Sequence, residues 1–515
     1  MEAFRRDRAR KRLHNALAIA PDEPFLQMAW GLHALRIGRP DLARQVIEVP
    51  AEAVNQATGQ PLAIHAWEVE TLVNQLILTP KRSGRRSYHC RNFGTAGEFT
   101  NYLRDLENAE YALKADPTQV LKEMHRIGQR QFPWQRQMPN LPDFYRPIFL
   151  YGQGGCAAAF EEEHGLTVSQ FVLVGFGLYA AFSARPHLAR RFDLTALGVT
   201  PAQLEAALGL LSIPAAQAPA ALRATIRNAG AAGAETAYRP SLLRRHPILA
   251  YGPRGERLWA PLPDLILQRV TFGLYYDVIR PGGALRNEIA ARFEAYAVDL
   301  VRGMMPGFTV QPAYGYAAGR GRRVDSPDIL LTRNGELAAV IECKATKLTF
   351  AAQFSADPVV DAKARYDEIG KGVFQVWRFF AHCRLGLTQH QVRPETRGLL
   401  LTLDTWLTMG RDLQEHVREV ASRLADADPE IIEDDRRPVL FVAAQDFEGL
   451  LSQMDEDGLL NTLDVADEDR FLGWILPNIA RELGPLEERK PYPFEAAKLL
   501  PWWGERGDRV TVTGG

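Results

Sequence analysis

The feature that most restricts the fold of this chain is a pair of apolar segments joined by a turn signal, SPDILLTRNGELAAVIECKATK, residues 326–347. Asn-Gly between two strand-like runs is a strong signal for a β-hairpin. The second run is apolar on both faces, which is typical of a central strand covered on both sides. Charges nevertheless lie at the end away from the turn, at Asp328, Glu342 and Lys344. Because buried charges are costly unless they are paired, we predict a functional site at this end.

Whether these three charges meet depends on the turn. Glu342 and Lys344 are two residues apart, so they share one face of the strand. A two-residue turn would place Asp328 opposite Ile341, and Glu342 would then point to the other face. A three-residue loop, 333–335, with its glycine in the left-handed conformation, would bring Asp328 onto the shared face. We therefore predict this loop or another bulge in the hairpin. Without either, the simpler interpretation is that the charges are separately solvated where the strands surface.

Two carboxylates that converge beside a lysine suit Mg²⁺, which prefers hard oxygen ligands and keeps waters and phosphate oxygens in its shell. We predict Asp328, Glu342 and the backbone carbonyl of Cys343 as ligands, with Mn²⁺ able to replace Mg²⁺. Lys344 would orient or deprotonate the attacking water and offset phosphate charge. The metal would stabilise the developing negative charge. Phosphodiester hydrolysis is the reaction that these groups suit.

The segments around the hairpin predict alternating helices and strands. A helix near 285–302 comes first, and a helix near 361–382 follows the hairpin. Strands are predicted at 308–314, 327–332, 337–344, 398–403 and 438–443. This α-β-β-β-α-β order with an added strand predicts a mixed sheet with helices on its faces.

Pro327-Asp328 followed by Glu342-Cys343-Lys344, within this order of elements, resembles the PD-(D/E)xK nuclease superfamily, which includes restriction endonucleases, RecB-type nucleases and Mrr-like enzymes. The resemblance covers roughly residues 285–445. It implies a restriction-endonuclease-like α/β domain and a Mg²⁺-dependent endonuclease.

The resemblance also implies two further catalytic residues. The family commonly places an acid on the helix before the hairpin, and Glu294, within FEAY, borders the apolar stripe of that helix. Glu288 lies elsewhere around the helix and is predicted to be solvated. Some members carry a QxxxY motif on the following helix, and this chain has Gln375 with Phe379 in place of the tyrosine. An amide that caps nearby backbone is the alternative role of Gln375.

The chain has 515 residues, too many for one hydrophobic core, and its first half has the spacing of helices. We predict a large, mostly α-helical region before the nuclease-like domain. The predicted segments are a helical N-terminal domain at 1–115, a helical middle domain at 116–275, the nuclease-like domain at 276–450, and a helical C-terminal segment and tail at 451–515.

The charge and cysteine content restrict the class of protein. A net charge of −1 argues against an extended nucleic-acid coat, so contacts must come from local patches. Such contacts are predicted for Arg320, Arg322 and Arg323 before the hairpin and for Lys347 after it, with a solvated loop as the alternative. Four scattered cysteines without a CxxC pair indicate a reducing cytoplasm. The sequence contains no run of about 18 apolar residues, so we predict no membrane span.

These features predict a metal-dependent nuclease that prefers DNA to RNA, with a helical N-terminal half that senses a target, partner or signal. Large helical additions in the superfamily suggest restriction or antiphage defence, and cutting two strands is consistent with a homo-oligomer. The alternative is a catalytically inactive nucleic-acid-binding or assembly subunit on a nuclease-like scaffold. A third interpretation is a helical interaction protein in which the motif is accidental. The intact set of Asp328, Glu342 and Lys344 favours the enzyme.

Overall fold

The computed structural model describes residues 1–82, 87–114, 120–135, 140–279, 283–318, 321–355, 357–405 and 411–506. The chain forms two compact units. Unit 1 comprises residues 1–119, 130–139 and 151–278, and unit 2 comprises 120–129, 140–150 and 279–515. The predicted segments 1–115 and 116–275 therefore lie mainly in unit 1, and 276–450 and 451–515 lie in unit 2. The finer four-part division stays a prediction.

Unit 1 is mostly helical. Its helices are α1 (Glu2–Ile19), α2 (Asp22–Arg36), α3 (Pro40–Ala43), α4 (Ala66–Leu78), α5 (Phe93–Lys114), α8 (Gly154–His164), α9 (Val168–Ala184), α10 (Pro201–Leu211), α11 (Ala218–Asn228), α12 (Asp264–Val270) and α13 (Leu274–Val278). Helix α6 (Val120–Gln135) contributes residues to both units. Buried side chains from α1, α2, α4 and α5, with Trp30, Phe25 and Phe99 among the largest, form its main core.

Unit 1 also contains a small sheet that the sequence did not predict. Its strands are β1 (His187–Ala189), β2 (Ser212–Pro214), β3 (Ile248–Tyr251) and β4 (Arg257–Trp259), in the order β1-β4-β3-β2. The prediction of helices alone for residues 116–275 is incomplete here. Strands of three or four residues are too short to display an alternating apolar pattern.

The apolar stretch VSQFVLVGFGLYAAF lies in α9, which begins after a capping box formed by Thr167 and Gln170. Most of its apolar side chains are buried in the unit, as predicted. Within the described residues, no single helix is long and apolar enough to span a membrane. The pair α8 and α9, bent by 66° at the break between them, meets the length and composition criteria only when taken together.

Unit 2 contains a five-stranded mixed sheet. Its helices are α7 (Leu141–Tyr151), α14 (Ala284–Met304), α15 (Phe350–Gln353), α16 (Pro358–Asp361), α17 (Lys363–Arg384), α18 (Arg411–Asp426), α19 (Ala444–Leu451), α20 (Glu456–Val465), α21 (Leu476–Leu483) and α22 (Trp503–Arg506). Its strands are β5 (Thr309–Pro312), β6 (Gly315–Ala317), β7 (Arg323–Asp325), β8 (Ile329–Arg333), β9 (Glu336–Lys344), β10 (Arg397–Thr402) and β11 (Val439–Ala443).

The sheet order is β11-β10-β9-β8-β5, and β6 and β7 form a separate two-stranded ribbon. Strands β5, β8 and β9 pair antiparallel, whereas β9, β10 and β11 are parallel. The parallel strands require crossover connections, which α17 and α18 provide. A mixed α/β protein with a large helical region is therefore confirmed.

One face of this sheet packs against α17 and α18. Leu330, Val340, Leu400 and Phe441 share a core with the apolar side chains of these helices. Along the parallel strands, Lys344 is aligned with Thr402, and Thr402 with Ala443. The charged end of the hairpin therefore lies at the carboxyl edge of the sheet, where parallel α/β sheets commonly hold their ligands.

Candidate active site

The hairpin turn has two residues, and the extra residue lies inside β9. Asn334 and Gly335 both have positive φ, at 54° and 82°, as a type I′ turn requires. Thr332 pairs with Leu337, but Leu331 pairs with Ala339, so Ala338 is bulged out between them. The predicted three-residue loop is therefore wrong, and the alternative of another bulge is confirmed.

The bulge changes which residues face one another beyond it. Ile329 pairs with Ile341 and Leu330 with Val340. Continuing this register places Asp328 opposite Glu342, and directly opposed residues share a face of the sheet. Lys344, two residues after Glu342, lies on the same face.

Pro327 ends the pairing of β8 with β9. In the continued register Pro327 faces Cys343, but proline has no N–H to donate to the Cys343 carbonyl. The Cys343 N–H donates instead to Oδ2 of Asp328, at 2.6 Å. The N–H and C=O of one strand residue point to the same neighbouring strand. The Cys343 carbonyl therefore points to the side where Asp328 lies.

Lys344 is held between two side chains. Its Nζ lies 2.7 Å from Oε1 of Glu342 and 3.1 Å from Oε1 of Gln375. Gln375 lies on α17, so the structure brings this predicted residue to the charged end of the hairpin. Phe379, which replaces the tyrosine of the family motif, is buried in the core of unit 2.

The carboxyl groups are crowded and poorly solvated. Glu342 is only 2% exposed, and its Oε2 has no hydrogen-bond partner among the described residues. Burial raises the pKa of Glu342, and the charges of Asp328 and Glu294 add to this, although Lys344 opposes it. Burial also raises the pKa of Asp328. Burial works against the charge of Lys344, but Glu342 outweighs this and raises the Lys344 pKa. Lys344 is therefore better suited to orient a water or offset charge than to act as a base.

Glu294 on α14 belongs to the same electrostatic cluster. Burial and the neighbouring Asp328 raise the pKa of Glu294 to about 7, against the influence of Lys344. Glu288, on the same helix, pairs instead with Arg292. The structure thus places Glu294 close to the other charges, as the resemblance implied, and directs Glu288 to a different partner.

Sequence reasoning missed Gly372, which lets α17 lie close to the charged cluster. A Cβ atom at this position would lie 2.8 Å from Cε of Lys344, 3.4 Å from Cγ of Glu342 and 2.6 Å from Cδ1 of Leu400. Gly398 on β10 lets α17 approach the sheet farther from the cluster, because a Cβ there would lie 2.9 Å from Cγ1 of Val376. The signal in the sequence was glycine inside a predicted helix, which is costly unless something must approach closely.

The predicted nucleic-acid contacts fall into three groups. Lys347 is buried, and its Nζ lies 3.3 Å from Oδ1 of Asp404. We therefore do not propose Lys347 as a phosphate contact. Arg322 is exposed and pairs with Glu430 at 2.8 Å, and Arg323 is exposed on β7. Arg320 lies outside the described residues. Contacts by Arg322 and Arg323 stay predictions.

A metal ion at this site would bind oxygen atoms of the protein. Among the described residues, no group of three or more His, Cys, Asp and Glu side chains is arranged to hold a metal ion. Mg²⁺ sites commonly use only one or two carboxylates, completed by waters and substrate oxygens. Asp328, Glu342 with its unpartnered Oε2, and the Cys343 carbonyl fit this smaller set.

The chain was compared with protein-family models, with curated proteins and with solved structures, and none of them matches it. The resemblance to nucleases therefore depends on the residues and geometry described above.

Proposed function

We propose that this chain is a Mg²⁺-dependent endonuclease that hydrolyses phosphodiester bonds, with DNA as the favoured substrate. The observation that carries the proposal is the meeting of Asp328, Glu342 and Lys344 at the carboxyl edge of the sheet, with Glu294 and Gln375 beside them. Each of these side chains is at least partly buried. The four charged ones among them are costly to bury unless they have a function or a partner. The order of elements around them supports the proposal.

Each residue has a distinct role in this proposal. Asp328, Glu342 and the Cys343 carbonyl would hold the ion, which would polarise the phosphate and stabilise negative charge in the transition state. Lys344, kept charged by Glu342 and positioned by Gln375, would bind a phosphate oxygen or orient the attacking water. Glu294 would hold the water network next to Asp328. Arg322 and Arg323 would contact the nucleic-acid backbone.

We further propose that the helical N-terminal half senses a target, partner or signal, in restriction or antiphage defence. This part of the proposal rests on the resemblance and on the large helical unit 1. A self-associating form would place two active sites near the two strands of a duplex.

The proposal is tested by incubating plasmid DNA, single-stranded DNA and RNA with the purified protein in Mg²⁺, Mn²⁺ or EDTA. We expect cleavage with either metal, none in EDTA, and a loss of about 100-fold or more in Lys344→Ala, the range for loss of an electrostatic catalytic group. Lys498→Ala, at an exposed lysine of unit 2 paired with Glu495, is the matched control.

The competing function is an inactive nucleic-acid-binding or assembly subunit. The absence of a three-residue metal cluster among the described residues favours it. Tight nucleic-acid binding without cleavage under every metal condition, and without protection of cells in a phage challenge, would establish that function and reject the enzyme.

A further inference from the structure

Unit 2 also contains a cleft beside the first residues of β11, away from the candidate active site, and we call it the β11 cleft. It has a volume of about 390 Å³ and is lined by parts of α17, α18, β11 and the segment 466–479. This volume is within the range of small-molecule sites. Val439 at the start of β11 is aligned with Gly398 and, through it, with Val340. The cleft therefore lies at the amino ends of the parallel strands, roughly 13 Å along the sheet from the level of Lys344.

Aromatic side chains line much of this cleft, namely Trp377, Phe441, Phe471 and Trp474. Trp377 donates its indole N–H to the carbonyl of Arg437 at 2.7 Å, which fixes its ring. Trp474 packs edge-on against Phe471, with ring centroids 5.6 Å apart, and remains 46% exposed. An exposed tryptophan at the mouth of a cleft is a platform on which a flat ring can stack.

Two arginines in the cleft form no ion pair with an acidic side chain of the described residues. Arg418 makes no hydrogen bond or ion pair within the described residues, and its guanidinium lies 5.4 Å from the centroid of the Phe441 ring. Arg437 donates to the backbone carbonyls of Arg393 and Asp434 but forms no ion pair in the same part of the chain. Arg436, the third arginine of the cleft, pairs with Asp426 at 2.7 Å.

The charge balance inside the cleft is positive. Burial lowers the pKa of both Arg418 and Arg437, although the charges of Glu415 near Arg418 and of Asp435 near Arg437 act in the opposite direction. The acids of the lining, Glu433 and Asp467, are exposed at the rim. Glu415, next to Arg418 on α18, is paired with Arg411. A partly buried guanidinium that is not engaged in an ion pair is well suited to bind an anion from outside.

We propose that the β11 cleft binds a nucleotide, with the base stacked on Trp474 and the phosphate held by Arg418 and Arg437. β11 is the outer strand of the sheet, so backbone groups on its far side have no strand partner among the described residues and can pair with the edge of a base. The ligand is either a free mononucleotide or the terminal nucleotide of a strand, which share this chemistry. The inference is independent of the proposed nuclease activity.

The test measures binding of mononucleotides to the full-length protein in EDTA, by tryptophan fluorescence and calorimetry. The ligands are AMP, GMP, CMP and UMP, with adenosine and inorganic phosphate as the separated halves. Short oligonucleotides with and without a 5′-phosphate distinguish a strand end from a free nucleotide. We expect at least one mononucleotide or 5′-phosphorylated oligonucleotide to bind more tightly than adenosine or phosphate, and Lys498→Ala to leave this binding unchanged.

The variants decide where such a ligand binds. Arg418→Met should weaken binding about tenfold or more, the effect of one charge-assisted hydrogen bond. Trp474→Ala should also weaken binding, and because this side chain is 46% exposed, we expect the variant to fold. Arg423→Met, at an exposed arginine of the same helix that does not line the cleft, is the matched control and should have no effect. The proposal is overturned if no nucleotide binds, if phosphate alone binds as tightly, or if Trp474→Ala and Arg418→Met both bind like the wild type.

Discussion

Gly372 determines how closely α17 approaches the charged end of the hairpin. We predict that Gly372→Ala lowers nuclease activity more than tenfold, because the added methyl must displace Lys344 or Leu400. Overpacking of this kind costs about 1–3 kcal/mol of stability. The measurement is initial cleavage rate together with thermal unfolding.

Gly449→Ala is the matched control, since Gly449 lies inside α19 of the same unit and a Cβ there meets no atom within 4 Å. This variant should keep its activity and gain stability from the better helix propensity of alanine. An active Gly372→Ala protein would show that the close approach of α17 is not needed.

The raised pKa of Glu294 predicts a pH-dependent stability. The folded protein holds a proton on Glu294 between its ordinary pKa of 4.5 and about 7, a range in which the unfolded chain has released it. Stability contributed by this proton is therefore present below pH 4.5 and is lost as the pH rises through 7. Glu294→Gln, which keeps a neutral amide, should be more stable than the wild type at pH 8 and similar to it at pH 4.5.

Urea unfolding at several pH values measures this difference. Glu288→Gln on the same helix, where the carboxylate pairs with Arg292, is the matched control and should not show the same gain at pH 8. A constant difference between Glu294→Gln and the wild type across the range would mean that folding does not raise the pKa of Glu294.

At the scale of single elements, the β8–β9 hairpin marks the limit of sequence reasoning. The turn and both strands were predictable from the apolar runs around Asn334-Gly335. The need for an extra residue also followed from the sequence, because a plain two-residue turn would put Asp328 and Glu342 on opposite faces of the sheet. Its place at Ala338 did not follow, because Ala338 lies just before the stretch of β9 that pairs with β10, Ala339 to Lys344, and no local pattern indicates where that pairing begins.

Deletion of Ala338 tests the bulge directly. Without it, the register should slip by one residue, and Asp328 should move to the opposite face from Glu342. We predict loss of cleavage with retention of helical structure by circular dichroism. Ala338→Gly keeps the residue count and should remain active. Full activity in the deletion variant would contradict the shared-face geometry.

Helix α14, which carries Glu294, is fixed by a buried polar cluster in unit 2. Glu448 on α19 accepts hydrogen bonds from Arg146 of α7 and from the hydroxyl of Tyr296, and the latter lies 2.8 Å from the hydroxyl of Tyr492. Burial raises the pKa of Glu448 despite the nearby Arg146. Removal of one partner leaves a buried charge without compensation.

We therefore predict that Arg146→Met destabilises unit 2 by about 3–5 kcal/mol, measured by urea unfolding. The exposed pair of Arg411 and Glu415 on α18 is the matched comparison, and Arg411→Met should cost less than about 1 kcal/mol. Equal effects of the two substitutions would show that the cluster does not fix α14.

At the scale of the whole molecule, unit 2 was more predictable than unit 1. The strands of unit 2 are long enough, and α17 apolar enough, for their patterns to identify them. The small sheet of unit 1 and the β11 cleft depend on contacts between residues far apart in sequence. Arg418, Arg437 and Trp474, for example, lie in different segments, and no local pattern connects them. Helix α7 likewise joins unit 2 through a contact between residues far apart in sequence, the pairing of Arg146 with Glu448.

The central claim is the proposal that Asp328 and Glu342, which the bulge at Ala338 brings to one face of the sheet beside Lys344, bind a divalent ion. Titration of Mn²⁺ into the full-length protein, followed by electron paramagnetic resonance, tests it without the need for an activating signal. The account predicts saturable binding at this site that competes with Mg²⁺, is lost in Asp328→Asn and Glu342→Gln, and survives in Glu288→Gln. Undetectable Mn²⁺ binding to the wild type, or undiminished binding in both Asp328→Asn and Glu342→Gln, would contradict it.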